Sequence, residues 1–73
     1  MITEICRLHS KLNFDQEIIL KMTRYEAETK IVKADILKKV GPTTLKVIKP
    51  NGEIRLINTN YVVIAYYGRR SLL

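Results

Sequence analysis

Residues 43–67, TTLKVIKPNGEIRLINTNYVVIAYY, restrict the fold of this chain more than any other stretch. Two runs rich in β-forming residues flank Pro50-Asn51-Gly52, and a third run follows the polar break Asn58-Thr59-Asn60. An Asn-Gly pair between two such runs is a strong signal for a tight hairpin. The stretch therefore predicts three consecutive strands of an antiparallel meander, the kind of ribbon from which small β-barrels are built.

The length of the chain limits what can stabilise it. With 73 residues it forms a single domain, residues 1–73, and a chain of this size buries only roughly 60% of its unfolded surface. Small domains often add disulfides, metal ions or oligomerisation. The one cysteine, Cys6, cannot form an intramolecular disulfide, and the one histidine, His9, leaves a zinc site short of ligands. We expect no metal, no cofactor and a homo-oligomer.

The sequence also predicts where the protein is found. No apolar run approaches the roughly 18 residues of a membrane span, and the N-terminal MITEICRLHSKL carries charges where a signal peptide has an apolar stretch. A free thiol is typical of a reducing compartment. We therefore expect a soluble, cytoplasmic protein that has no membrane partner.

Basic residues are concentrated after the first 20 positions. The chain has 13 Lys and Arg against 7 Asp and Glu. Residues 1–20 hold two bases and three acids, a balance of −1, and residues 21–73 hold eleven bases and four acids, a balance of +7. A basic strand region either binds nucleic acid or simply keeps a small domain soluble, and charge alone leaves both possibilities open.

The N-terminal segment, residues 1–13, has the apolar spacing of a helix with one buried stripe. That stripe consists of Ile2, Ile5, Leu8 and Leu12. Residues 15–29 fit two patterns. A period of two places Ile18, Leu20 and Met22 on one strand face, whereas a period of 3.6 gives a second helix. We favour the strand and keep the second helix as the alternative.

The remaining strands are predicted from alternation and turn signals. Val32, Ala34 and Ile36 form the predicted inward face of the second strand, which Gly41-Pro42 ends. The predicted inner face of the next hairpin consists of Leu45, Val47, Ile54 and Leu56. The last strand, residues 61–67, is apolar on both faces, so the barrel or another subunit should cover it.

These assignments predict a mainly β fold. An N-terminal helix (1–13) precedes a strongly bent, five-stranded antiparallel small β-barrel of Sm-like or SH3-like type (17–68), and a basic and apolar tail follows (69–73). The alternative is an α+β fold in which residues 15–29 form a second helix.

The order of elements resembles the Sm-like family, which includes bacterial Hfq and the Lsm proteins. The resemblance covers nearly the whole chain, with residues 2–12 as the helix, 32–36 as the inward face of the second strand and 57–65 as the final motif. The ending Ile64–Arg70 also looks like the closing strand and basic exit of some short Hfq-type sequences. The resemblance implies a ring in which an edge strand of one subunit pairs with its neighbour.

The chain departs from the family's motifs at several positions. Ala34 stands where a glycine is usual, and Val40 and Thr44 stand where an aspartate and an asparagine are common. Asn58-Thr59-Asn60 takes the place of an Arg-Gly or Lys-His pair and keeps polarity without charge. These departures concern the base-binding pocket more than the fold.

The resemblance implies that the chain binds single-stranded RNA as a hexamer or heptamer, with one weak contact repeated in every subunit. The nucleic-acid-binding residues it implies are Thr44, Lys46, Lys49, Arg55, Asn58, Thr59, Asn60, Arg69 and Arg70. The subunit interface it implies consists of Tyr61, Val63, Ala65 and Tyr67. Asn58-Thr59-Asn60 also fits a simple turn, because Asn tolerates left-handed backbone and caps itself locally.

A second hypothesis is a protein-interaction module with an SH3-like or α+β fold whose last strand pairs with a partner strand. An enzyme is not expected. Cys6 and His9 lie one helical turn apart, but thiolate chemistry also needs an oxyanion site and a cleft. The glycines at 41, 52 and 68 are too scattered for a phosphate loop.

Overall fold

The fold is mainly β with one N-terminal helix, as predicted. The computed structural model describes residues 1–22 and 28–73. No helix in these residues is long and apolar enough to cross a membrane. The elements in chain order are α1 Ile2–Ser10, β1 Glu17–Met22, β2 Glu28–Val32, β3 Ile36–Lys39, β4 Thr44–Ile48, β5 Ile54–Asn58, a 3-10 turn Thr59–Tyr61, β6 Val62–Tyr67 and β7 Arg70–Ser71.

The strands form two antiparallel sheets. Sheet A has the order β2-β1-β6-β7, and sheet B has the order β3-β4-β5. No ladder joins the two sheets among the described strands, so the five-stranded small β-barrel predicted for residues 17–68 is corrected to two separate antiparallel sheets. The chain crosses from sheet A to sheet B at a tight turn after β2 and returns through the 3-10 turn. The predicted tail, residues 69–73, contributes the short strand β7 to sheet A.

In the segment 15–29, the described residues 17–22 and 28–29 belong to strands. β1 spans Glu17–Met22 and β2 begins at Glu28, so the alternative of a second helix is wrong for these positions. Ile18 and Leu20 are fully buried and Met22 packs against the core, which confirms the period-two face. Residues 23–27, which belong to the same predicted segment, lie outside the described residues.

One hydrophobic core lies between α1 and the inner faces of both sheets. An isolated helix of nine residues is marginal in water, so packing of its apolar stripe is what holds α1 in place. Burying each Leu or Ile side chain contributes roughly 1.5–3 kcal/mol relative to leaving it exposed. The core residues are Ile2, Ile5, Leu8, Leu12, Ile18, Leu20, Ile31, Leu45, Val47, Ile57, Val62 and Ala65.

The inward face predicted for the second strand is wrong. Ile31 is fully buried, whereas Ala34 is exposed and Ile36 is 54% exposed. A turn breaks the strand between β2 and β3: the Asp35 N–H donates to the Val32 carbonyl at 3.1 Å, and Asp35 Oδ2 accepts from the Val32 N–H at 2.9 Å. Because the turn is not extended, the alternation of inward and outward residues does not continue through it.

The hairpin of β4 and β5 also differs from the prediction in register. Leu45 and Val47 are fully buried as predicted, but Ile57 lies opposite Leu45 and shares the inner face. Ile54 and Leu56 are 54% and 66% exposed. The predicted pairing was therefore one residue out on β5, which moves each of its side chains to the other face.

The predicted hairpin turn at Asn51-Gly52 is confirmed. The Gly52 N–H donates to the Lys49 carbonyl at 2.9 Å, and the Lys49 N–H donates to the Glu53 carbonyl at 2.8 Å. Gly52 has a φ of 87°, a left-handed conformation that glycine adopts without a steric penalty. The turn therefore fixes the register in which β4 meets β5.

Candidate nucleic-acid interface

The face of sheet B that points away from the core brings basic, polar and apolar side chains together. Residues directly opposite each other in an antiparallel pair project from the same face. Thr44 lies opposite Asn58, and Lys46 lies between Lys38 and Leu56. We call this surface the outer face of sheet B. It consists of Ile36, Lys38, Thr44, Lys46, Ile48, Ile54, Leu56 and Asn58.

Two lysines stand directly opposite each other on this face. Lys38 and Lys46 are register partners, and like charges in this position destabilise a sheet. Neither forms an ion pair with another described residue, and the same holds for the exposed neighbour Lys39. A bound anion would relieve this repulsion, so the charge pattern of the row is suited to a negatively charged ligand.

Two residues predicted to contact phosphate, Lys49 and Arg55, form ion pairs within the chain. Lys49 Nζ lies 2.8 Å from Asp35 Oδ2 and also donates to the Lys30 carbonyl. Arg55 Nη2 and Nε lie 2.9 and 3.0 Å from Glu53 Oε1. The Asp35 side chain is fully buried, whereas the pair formed by Arg55 is about half exposed. Releasing Lys49 to a ligand would therefore cost far more than releasing Arg55.

Several polar groups of Asn58-Thr59-Asn60 form hydrogen bonds to nearby backbone atoms. Asn58 Oδ1 accepts from the Asn60 N–H at 3.0 Å and caps the 3-10 turn. The Thr59 hydroxyl and N–H both donate to the Thr43 carbonyl, at 2.9 and 2.8 Å. The Asn58 amide nitrogen, the Asn60 side chain and the Thr44 hydroxyl make no hydrogen bond with a described residue. These three groups are the ones that a ligand can use.

The other two predicted basic contacts lie next to sheet A, Arg69 in the turn after β6 and Arg70 on β7. Arg69 and Arg70 are exposed, and Arg70 begins β7 at the edge of sheet A. Thr44, Lys46 and Asn58 belong to sheet B. The structure therefore brings these three predicted residues together on one face and separates them from the two arginines by element and by sheet.

The four predicted interface residues divide into two pairs. Ala65 is fully buried in the core, and Tyr67 is half-buried with its hydroxyl donating to Gln16 Oε1 at 3.4 Å. Tyr61 and Val63 are 37% and 46% exposed. The ladder between β1 and β6 shifts register beside Val63, which has no partner on β1. Tyr61 and Val63 are therefore the members of the set whose side chains another subunit can reach.

Lys38 was not among the residues predicted for this face from the sequence. Alternation along β3 could have indicated that Lys38 faces outward. The turn after β2 interrupts the alternation, however, so the sequence does not show which residues of β3 point to which face. Among residues 1–22 and 28–73, no three His, Cys, Asp or Glu side chains lie close enough to hold a metal ion.

Comparisons with protein-family models, with curated proteins and with solved structures find no match to this chain. The outer face of sheet B is therefore the feature of the molecule that best indicates a function. Its basic row has hydroxyl and amide groups on one side and an apolar row of Ile36, Ile48 and Ile54 on the other.

Proposed function

We propose that the chain binds single-stranded RNA through the outer face of sheet B, as one subunit of an Sm-like ring. The observation that carries the proposal is the pair of opposed lysines, Lys38 and Lys46, beside Thr44 and Asn58. A phosphate placed over the two lysines would turn their repulsion into two favourable contacts. The net charge of +6 adds a general attraction for a polyanion.

Single-stranded RNA suits this face better than a duplex. Its unpaired bases are free to offer their edges to side chains, and an Asn amide both donates and accepts. The Asn58 amide nitrogen is available beside the Thr44 hydroxyl, and the apolar row supplies contact area for a base or a ribose. Phosphate, base edge and apolar contact are thus available side by side on three strands.

The order of elements supports the Sm-like part of the proposal. If β2 and β3 are counted as one strand interrupted at Asp35, then α1 is followed by five strands and the short β7. Among the described strands, β5 is an edge of sheet B. β7 pairs only with Tyr66 and Tyr67 of β6, which leaves residues 62–64 without a strand partner on that side. Pairing of the β5 edge with β6 of the next subunit would be a head-to-tail contact, and such contacts form a ring when the rotation between neighbouring subunits closes.

The RNA proposal is tested by the salt dependence of binding. For a single strand, each phosphate neutralised contributes about 0.7 to the slope of log K against log salt concentration. We expect Lys38→Gln with Lys46→Gln to reduce the slope by about 1.4 relative to the unaltered chain. The measurement is fluorescence anisotropy with a labelled oligouridine and a labelled oligoadenine at several salt concentrations.

Lys11→Gln is the matched control, because it removes an exposed lysine at the end of α1. It should leave the slope within about 0.2 of the unaltered value, since Lys11 would release no phosphate-bound counterions. Equal slopes for the double variant and this control would contradict the assignment of the face. Absence of RNA binding at low salt would contradict the proposed function itself.

Ring formation is tested by molar mass in solution. Light scattering should give six or seven times the chain mass of 8.5 kDa. Val63→Lys should reduce that mass, because it places a charge in the proposed contact between β6 and the neighbouring β5. Ile36→Lys, on an exposed residue of β3, is the control and should leave it unchanged. A monomer at all concentrations would rule out the ring.

The second candidate function, a protein-interaction module, is favoured by one observation. Among the described strands, β5 is an edge of sheet B, and its residues Ile54 and Leu56 are exposed. Such an edge is the kind that accepts an added strand. The last long strand, β6, lies between β1 and β7, so β5 offers a longer free edge than the strand first predicted for this role. A monomer that binds no RNA would favour this function.

A further inference from the structure

A pocket of about 210 Å³ lies between the start of β1 and the end of β6, on the part of the fold formed by sheet A. Its lining residues are Asp15, Gln16, Glu17, Ile19, Tyr67 and Gly68. None of them belongs to the outer face of sheet B, and the proposed RNA contacts leave the pocket without a role.

Hydrogen bonds build the rim of the pocket. The Gln16 N–H donates to the Asn13 carbonyl at 3.1 Å, and the Asn13 N–H donates to Gln16 Oε1 at 2.9 Å. The Tyr67 hydroxyl donates to the same oxygen at 3.4 Å. These bonds hold the turn between α1 and β1 against the end of β6, so the pocket walls are positioned before any ligand arrives.

An aromatic side chain stands on this turn in full contact with water. Phe14 is 89% exposed, more than any other large apolar residue among those described. It adds nothing to the core, although a phenylalanine is among the residues that gain most from burial. Its place next to Asp15 puts an aromatic ring on the segment that forms the pocket rim.

The charge at the pocket is opposite to that of the chain as a whole. Asp15 and Glu17 line it, and neither forms an ion pair with a described residue. Two carboxylates would repel a phosphate and favour a cation. A guanidinium suits them best, because it binds a carboxylate with two parallel hydrogen bonds and stacks on aromatic rings.

We infer that this pocket binds an arginine side chain of a partner polypeptide. Asp15 and Glu17 bind the guanidinium, Ile19 and Tyr67 contact the apolar part of the side chain, and Phe14 packs on the adjoining peptide. The chain then has two separate surfaces of opposite charge preference, one for a polyanion and one for a basic segment.

The probe for this inference is the peptide acetyl-Gly-Arg-Gly-Arg-Gly-amide. Its control is the same peptide with citrulline in place of arginine, which keeps the shape and removes the charge. In ¹H–¹⁵N NMR titrations of the full chain, the arginine peptide should shift the amide signals of residues 13–19 and 67–68. The citrulline peptide should bind about tenfold more weakly or not at all.

Variants locate the binding within the pocket. Glu17→Gln should weaken the arginine peptide about five- to tenfold, whereas Glu4→Gln, an equal loss of charge on α1, should leave its affinity unchanged. Phe14→Ala should weaken it about threefold. The chain should remain folded, because Phe14 makes no core contact. RNA affinity should be the same for Glu17→Gln as for the unaltered chain, which separates this test from that of the proposed function.

Four results would overturn the inference. Equal binding of the citrulline peptide would show that charge is not recognised. An RNA oligonucleotide that shifts the pocket signals when the peptide does not would assign the pocket to a nucleobase. Shifts on raising the concentration of the chain alone would assign it to a second copy. An absence of shifts with every probe would leave the pocket without a ligand of the proposed class.

Discussion

Lys49→Met is expected to lower the free energy of unfolding by about 3–5 kcal/mol, the cost of leaving a buried charge without its partner. The Asp35 side chain is fully buried, and Lys49 Nζ lies 2.8 Å from its Oδ2 atom. Asp35 Oδ1 is buried with no hydrogen-bond partner among the described residues, so Lys49 provides most of the compensation. Urea unfolding followed by circular dichroism measures the loss.

Two further variants separate the ion pair from a general effect of losing a lysine. Lys39→Met removes an exposed lysine of β3 and should change stability by less than about 0.5 kcal/mol. Adding Asp35→Asn to Lys49→Met should restore part of the loss, because the amide is neutral and its oxygen can still accept from the Val32 N–H. Equal losses for Lys49→Met and Lys39→Met would contradict the importance of the buried pair.

Ile57→Ala is expected to cost about 2–5 kcal/mol, whereas Leu56→Ala should cost less than about 0.5 kcal/mol. Ile57 is 1% exposed in the core, and Leu56 is 66% exposed on the outer face of sheet B. Two adjacent residues of similar size thus differ in burial. Comparing the two variants therefore tests which residues of β5 face the core. Unfolding midpoints in urea provide the comparison.

Ile57→Val keeps this test usable if the alanine variant fails to fold. Loss of one buried methylene should cost about 0.5–1.5 kcal/mol, still more than the exposed Leu56→Ala. The reverse order, in which Leu56→Ala is the more costly change, would mean that β5 meets β4 one residue out of the register described here.

The sequence predicts well those parts of the fold that have one clear periodicity. The stripe of α1 has apolar residues only at helical spacing, and all four of its predicted members are buried. Ile18 and Leu20 alternate with more polar neighbours on β1, and Gly52 marks its hairpin through a conformation that other residues adopt with difficulty. In each case, the pattern that predicts the local structure lies within neighbouring residues, even where tertiary packing is needed to stabilise it.

Where apolar residues occupy both faces of a strand, the sequence does not determine which face is inward. Ile54, Leu56 and Ile57 are all apolar, so the sequence of β5 does not show which of its two faces points to the core. The break after β2 depends on Asp35, whose burial requires Lys49, the residue that follows β4. A pattern read over neighbouring residues contains no information on a partner 14 positions away, and this is why the inward face of the second strand was predicted wrongly.

The same limit applies to the candidate site. Thr44, Lys46 and Asn58 were predicted from a resemblance, and their common face follows from the pairing of β4 with β5. The engagement of Lys49 with Asp35 is a long-range contact that composition could not indicate. Lys38 was missed because its position opposite Lys46 becomes apparent only when the register of β3 is known.

The contacts of α1 with the turn after β2 have a consequence for cooperativity. The His9 ring N–H donates to the Val32 carbonyl at 3.0 Å, and Lys33 Nζ donates to the Ser10 carbonyl at 3.3 Å. The helix is thus fastened to the point where the chain leaves one sheet for the other. Detaching the helix would expose Ile5 and also weaken the connection between the two sheets. Opening of the helix alone therefore gains little conformational entropy to offset the lost contacts. Helix and sheets are therefore expected to unfold as one cooperative unit.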